Sequence, residues 1–293
     1  MSILIAIRMY LATLSLIGVT LAASLASYGT AAAKDVYVGA TVPARQRIPI
    51  ERIQHTTWDA LLEKYVDDRG MVDYQAWKKS ATDQQKLDQY LVHLSAATMA
   101  DRIDKRVTLA YWINAYNAIT VKGILREYPT KSIRDHTSSL FGYNIWKNLK
   151  VRVDGKEYSL DDIEHAVLRK LGEPRIHFAI VCASIGCPRL LAQAYTPDAL
   201  EEQLTANAKA FFADRSKFQA DPTRETLYVS PILDWFGADF GGSTAERLRQ
   251  IAPYLPDATS QRMAHSGAVR LKFLDYDWNL NDKSAKSRRS SKS

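Results

Sequence analysis

The stretch "LKVRVDGKEYSLDDIEHAVLRKLG", residues 149–172, marks the point where a helical sequence becomes a mixed one. Its first half alternates apolar and polar residues around Asp154-Gly155, a pair suited to a tight two-residue turn, and predicts a β-hairpin. Its second half opens on Ser159, carries Asp162 three residues later and stops at Gly172, which predicts a capped helix.

Upstream of this junction the chain reads as helix. "TTWDALLEKYV" (56–66) opens at a Thr cap, and "QQKLDQYLVHLSAAT" (84–98) repeats apolar residues at helical spacing. "TLAYWINAYNAITVKGILREYP" (108–129) runs until Pro129 forbids continuation and is apolar on nearly every side, as a central buried helix must be. Downstream the elements mix. "RIHFAIVCA" (175–183) predicts a buried strand, "TPDALEEQLTANAKAFFAD" (196–214) a helix, "ETLYVS" (225–230) a strand, "SPILDWFGADF" (230–240) a helix and "AVRLKFLDYDWNL" (268–280) a final strand. Helices first and mixed elements afterwards argue for α+β: a helical N-terminal half packed against a mixed, mainly antiparallel sheet. Papain- and transglutaminase-like folds are architectures of this kind.

The ends are read separately. "MYLATLSLIGVTLAASLA" (9–26) follows Arg8, and "TAAAKD" (30–35) offers small residues for cleavage after Ala33, so residues 1–33 predict a secretory signal, with an uncleaved membrane anchor as the alternative. The expected location is periplasmic or secreted, where disulfides persist. Residues 34–55 read as a loose segment, 56–281 as a single α+β domain, and 282–293, "DKSAKSRRSSKS", as a disordered basic tail. The net charge of +7 falls to +2 for the body once Arg8 and the four net charges of the tail are set aside, so no specific nucleic-acid partner is expected. No second apolar run is long enough to span a membrane after signal cleavage.

Three polar features stand in apolar surroundings. Asn114, Asn117 and Thr120 recur every third residue on one seam of the buried helix. They could bind the backbone of an irregular loop, or orient a catalytic imidazole. Glu164 lies in the middle of the stripe formed by Leu160, Ile163, Val167, Leu168 and Leu171, with His165 at its edge. Such a carboxylate is either half of an ion pair with Arg169, Arg175 or another cation, or a general acid or base. Cys182 and Cys187, the only cysteines, bracket "ASIG". They read as a short disulfide, as a nucleophile with its neighbour, or as part of a zinc site with His165 or His177.

"YWINAYNAIT", "SLDDIEHAVLR", "HFAIVCASIGCPRL", "SPILDWFGADF" and "LDYDWNLN" together resemble the successive signatures of the domain-of-unknown-function family 547, over about residues 56 to 281. The resemblance is to its bacterial exported branch. It implies that Asn114, Asn117, Glu164, His165, Arg169, Cys182, Cys187, Pro188, Trp235, Asp239 and Phe240 are signature positions, and the glutaredoxin-like domains joined to some members imply thiol chemistry.

Two functions follow as expectations. In one, a thiol-dependent hydrolase or acyl transferase acts on a peptide or amide, with Cys182 as nucleophile, His165 as base, Asn114 or Asn117 as orienter and Glu164 as acid, base or electrostatic element. In the other, a non-catalytic binding or scaffolding domain holds a structural Cys182–Cys187 bridge. The ligand is an unidentified small molecule or peptide in both, and neither calls for a cofactor or metal.

Overall fold

A computed structural model describes residues 34–100, 102–137 and 143–284; the expected signal with its cleavage site after Ala33, and the chain beyond Ser284, lie outside the described residues. The chain begins with β1 (Val36–Val38) and β2 (Ile48–Pro49), then α1 (Thr56–Tyr65), α2 (Tyr74–Lys79) and α3 (Ala81–Ser95). β3 (Ala97–Thr98), α4 (Lys105–Glu127), α5 (Ile145–Asn148), the hairpin of β4 (Leu149–Val153) and β5 (Lys156–Ser159), and α6 (Leu160–Asp162) follow. α7 (Leu200–Ala213), β6 (Phe218–Asp221), β7 (Thr226–Val229), α8 (Ile232–Trp235), α9 (Gly237–Phe240), α10 (Thr244–Ile251), α11 (Ala258–Ser266) and β8 (Arg270–Phe273) complete the order.

Local chemistry accounts for the junction. Asp154 and Gly155 take φ of 52° and 78°, the two left-handed positions that a hairpin turn of this twist requires. Leu149, Val151 and Val153 face inward from β4. Ser159 and Asp162 cap one another: Asp162 N donates to Ser159 Oγ at 3.1 Å, and Ser159 N donates to Asp162 Oδ2 at 2.9 Å. Beyond α6 the helix widens into a π turn over Ile163–Leu168, tightens at Arg169–Leu171 and ends at Gly172 with φ of 63°. π turns inside helices gather at functional sites, and this one carries Glu164 and His165.

The class is α+β, but the sheet differs from expectation. In place of one mainly antiparallel sheet, the described residues form three small ones, ordered β1-β4-β5, β2-β3 and β6-β7-β8. The β1–β4, β2–β3 and β7–β8 pairings are parallel, and only β4–β5 and β6–β7 are antiparallel. Residues 34–55, expected to be loose, supply β1 as the partner of β4 and bury Ile50 and Ile53. At the other end Asp282 is buried and Lys283 N donates to Val72 O at 2.9 Å, so the packed fold reaches beyond both expected limits.

α4 is buried without a break from Leu109 to Val121 and is the axis of the larger core, with α1, α2, α3 and β4 around it. A second core gathers Phe211 and Phe212 of α7, the β6–β7 pair and α8, α10 and α11. Phe178 belongs to the second core and Ala179 to Val181 belong to the first, so residues 178–182 cross from one to the other. No helix among the described residues is long and apolar enough to cross a membrane.

Candidate functional site

The crossing segment is not the strand its composition predicts. Pro174–Phe178 is a 3-10 turn, and the backbone groups that follow are held by side chains instead of a neighbouring strand. Asn117 Nδ2 donates to Ala179 O and its Oδ1 accepts from Val181 N, both at 3.0 Å. Asn207 Nδ2 donates to Phe178 O at 2.9 Å. Asn114 grips Tyr195 in the same way, donating to its carbonyl at 2.8 Å and accepting from its N–H at 2.9 Å. These buried amides satisfy backbone groups that would otherwise each cost about 1–3 kcal/mol.

Past Cys182 the chain turns sharply through Ala183, whose φ of 57° is strained for a residue with a side chain. The C-terminal segment holds that turn. Asn281 N donates to Ala183 O at 3.0 Å, Ile185 N to Asn279 O at 2.9 Å and Gly186 N to Asp277 O at 2.8 Å. The approach is so close that a Cβ on Gly186 would lie 2.9 Å from both Asp277 N and Tyr276 Cδ1. Tyr276 is thereby set against the cysteines.

Cys182 Sγ accepts from the Cys187 thiol at 2.8 Å and lies 3.1 Å from Ser184 Oγ and 3.2 Å from Tyr276 Oη. Both cysteines are free thiols in this structure. The Cys187 thiol, with Ser184 and Tyr276, pulls the half-buried Cys182 thiol down to about 7 against the opposing effect of burial. Burial, and then its bond to Cys182, pushes Cys187 far up. One sulfur is therefore set to be a thiolate near neutral pH while its neighbour keeps the proton.

Glu164 faces the same space. Tyr116 Oη donates to its Oε2 at 3.2 Å, and it has no ion pair among the described residues. Arg169 is bound to Asp239 through Nε at 2.6 Å and Nη2 at 2.8 Å, and Arg175 is bound to Glu173 and Glu201. Burial raises the Glu164 carboxyl despite the proximity of His165 and the Tyr116 bond. Asp239 also accepts from His177 Nε2 at 2.7 Å, and the His177 ring stacks on Phe236 at 4.2 Å. Burial outweighs the attraction of Asp239 and lowers His177 to about 4, so this imidazole is neutral. Burial works to raise Asp239, but its bonds to Arg169 and His177 outweigh that and hold it low.

Cys182, Cys187, Tyr116, Glu164 and His177 line a cleft of about 210 Å³ at the seam of the two cores, walled by Trp146, Trp235, Phe236, Tyr276 and Trp278. Residues 100–212, which include α4, Glu164, Cys182 and Cys187, match the family described as "Protein of unknown function, DUF547". This stretch is similar to DUF547. No curated protein and no solved structure matches the chain. Trp235, Phe236, Tyr276 and Trp278 complete the cleft from outside the DUF547 match, and Asp239, also outside it, holds His177.

Of the residues singled out from sequence, Cys182, Glu164 and His165 line the cleft, and Asn114 and Asn117 do not. The two asparagines hold backbone, one of them directly under the Cys182 segment, so they position and do not orient an imidazole. His165 is exposed: its Nδ1 accepts from Arg169 Nη1 at 2.9 Å, its Nε2 lies 3.6 Å from Asp161, and it is not hydrogen-bonded to Cys182. Among the described residues no group of three His, Cys, Asp or Glu is placed to hold a metal ion, so the cysteines do not gather a third ligand of that kind. Tyr116, Ser184, Tyr276 and Trp278 were missed. For the last two the signal was the aromatic pair in "LDYDWNLN", which polar residues separate too strictly for a core strand alone.

Proposed function

We propose that the cleft carries out thiol–disulfide exchange, with Cys182 as the attacking sulfur and Cys187 as the resolving one. The observation that carries this reading is the juxtaposition of the two free sulfurs, Cys182 Sγ and Cys187 Sγ, 2.8 Å apart. The Cys182 thiolate attacks one sulfur of a substrate disulfide, a mixed disulfide forms, and the first substrate thiolate leaves. Cys187 gives up its proton to that thiolate, with Glu164 available in the same cleft to carry it. The Cys187 sulfur then attacks Cys182, the intramolecular disulfide closes and the second substrate thiolate leaves. Two protein thiols are oxidised and one substrate disulfide is reduced to two thiols. The exported location expected from the N-terminus supports the reading, because substrate disulfides persist there.

Acyl transfer by Cys182 draws its support from the His177–Asp239 pair in the same cleft. It lacks a hydrogen bond between either cleft imidazole and the thiol, and Cys187, Ser184 and Tyr276 take up that role.

A redox titration and turnover of 2-hydroxyethyl disulfide, with a small thiol such as glutathione supplied to return the Cys182–Cys187 disulfide to the dithiol, test the exchange. The expected potential lies in the range of exchange catalysts, about −120 to −270 mV. Cys182→Ser abolishes turnover, and Cys187→Ser accumulates a mixed disulfide visible as added mass. A pair below about −300 mV is a structural disulfide and overturns the reading, as does a Cys187→Ser variant that turns over like the parent.

A further inference from the structure

Resting on that exchange reading, we infer that the cleft selects a cationic partner, a small disulfide carrying a primary ammonium group. The lining holds two carboxylates, Asp161 and Glu164, and no lysine or arginine. The guanidinium beside the His165–Phe236 wall is occupied: Arg169 spends two nitrogens on Asp239 and lies over the Phe236 ring at 5.5 Å. Its third contact donates to His165 Nδ1 at 2.9 Å. Of the Glu164 oxygens only Oε2 accepts a hydrogen bond among the described residues, leaving Oε1 for a ligand donor.

The walls suit the same charge. Aromatic faces carry negative potential and attract ammonium groups. Trp235 is 47% exposed, yet its ring lies 4.9 Å from that of Tyr276 and 5.7 Å from that of Trp278, a packed and open aromatic surface at the mouth. An anionic partner would meet two carboxylates and these faces with no lysine or arginine in the lining to answer it. At about 210 Å³ the cleft is smaller than the roughly 300–1,000 Å³ of sites for drug-sized ligands, and fits a head group the size of one side chain.

Three short disulfides test the selection: cystamine with two ammonium groups, neutral 2-hydroxyethyl disulfide and anionic dithiodiglycolate. Each kcat/KM is divided by the rate of the same disulfide with free 2-mercaptoethanol, which removes the difference in leaving thiols. The normalised rate should favour cystamine over the neutral compound by about two- to five-fold, the size of one exposed cation–π contact, and disfavour the anion. Asp161→Asn and Trp235→Leu should each lower that ratio toward one. Equal normalised rates overturn the selection and leave the exchange reading standing. Turnover of none of the three overturns the exchange reading, and the cationic preference is then decided by binding alone: tryptophan fluorescence of Cys182→Ser should respond saturably to propylammonium and not to propionate, and no response to propylammonium overturns it.

Discussion

Tyr116 Oη donates to Glu164 Oε2 at 3.2 Å, and that phenol is the carboxylate's hydrogen-bond partner among the described residues. A carboxyl whose folded-state pKa is raised costs stability once the pH exceeds its unfolded value. Glu164→Gln keeps the shape and removes the charge. Its denaturant midpoint at neutral pH should be unchanged or higher, by up to about 1 kcal/mol of stability. A loss of about 3–5 kcal/mol, as from breaking a buried ion pair, would show a cation bound to Glu164 and sink the assignment.

The Cys187 donor sets the reactivity of Cys182. Alkylation of Cys182 by iodoacetamide should rise with pH around a midpoint of about 7 instead of the ordinary 9.0. Cys187→Ala removes the largest cause of that lowering, so its midpoint should move upward. A parent midpoint near the ordinary value, or a Cys187→Ala profile that overlays the parent's, contradicts the arrangement.

The hairpin, the capping box and the buried α4 were legible because each is a local pattern: Asp154-Gly155, Ser159 with Asp162, and an apolar run ended by Pro129. Glu164 was legible too, as one charge inside an apolar stripe. The segment 177–183 was not, although its residues are as buried as those of a strand. Its backbone partners are the side chains of Asn117 and Asn207, 62 and 29 residues away from the carbonyls they bind, and no local periodicity reports such partners. The seam of Asn114 and Asn117 pointed to backbone binding or to catalysis without telling them apart, since a buried amide looks the same in either role. Tyr276 reaches Cys182 across 94 residues, and what brings it there is a glycine-sized gap at residue 186, which single-residue patterns do not show.

Two neutral imidazoles, the half-buried His55 and the buried His177, make the fold acid-sensitive. His55, bonded to Tyr90 Oη at 2.6 Å, and His177 are both lowered by burial from 6.5 to about 4. Above pH 6.5 both states are neutral; below it the unfolded chain takes up protons that the folded chain refuses, so stability falls as pH drops toward 4. Each contributes a slope of up to about 1.4 kcal/mol per pH unit. Urea midpoints at pH 7.5, 6 and 5 measure it, and His55→Gln should reduce the slope. A flat stability profile from 6.5 to 5 would mean that neither ring is kept neutral.

Gly186→Ala places a methyl group 2.9 Å from Asp277 N and Tyr276 Cδ1, and backbone must yield. The expected cost is about 1–3 kcal/mol, as for overpacking. Because the yielding segment carries Tyr276, Cys182 alkylation at pH 7 should slow in the same variant. Loss of stability with reactivity intact would separate the clamp from the thiol.

The clamp on Cys182 also fixes when the site can exist. Tyr276, Asp277, Asn279 and Asn281 bind the Cys182 turn from close to the end of the described chain, 94 residues after the thiol in the case of Tyr276. A chain delivered N-terminus first, at roughly 5–20 residues per second, presents both sulfurs on the order of ten seconds before the residues that seat them arrive. During synthesis the pair is two ordinary thiols on an unfinished turn, open to whatever disulfides lie nearby, and the difference between its sulfurs is acquired only when the last strap is laid down.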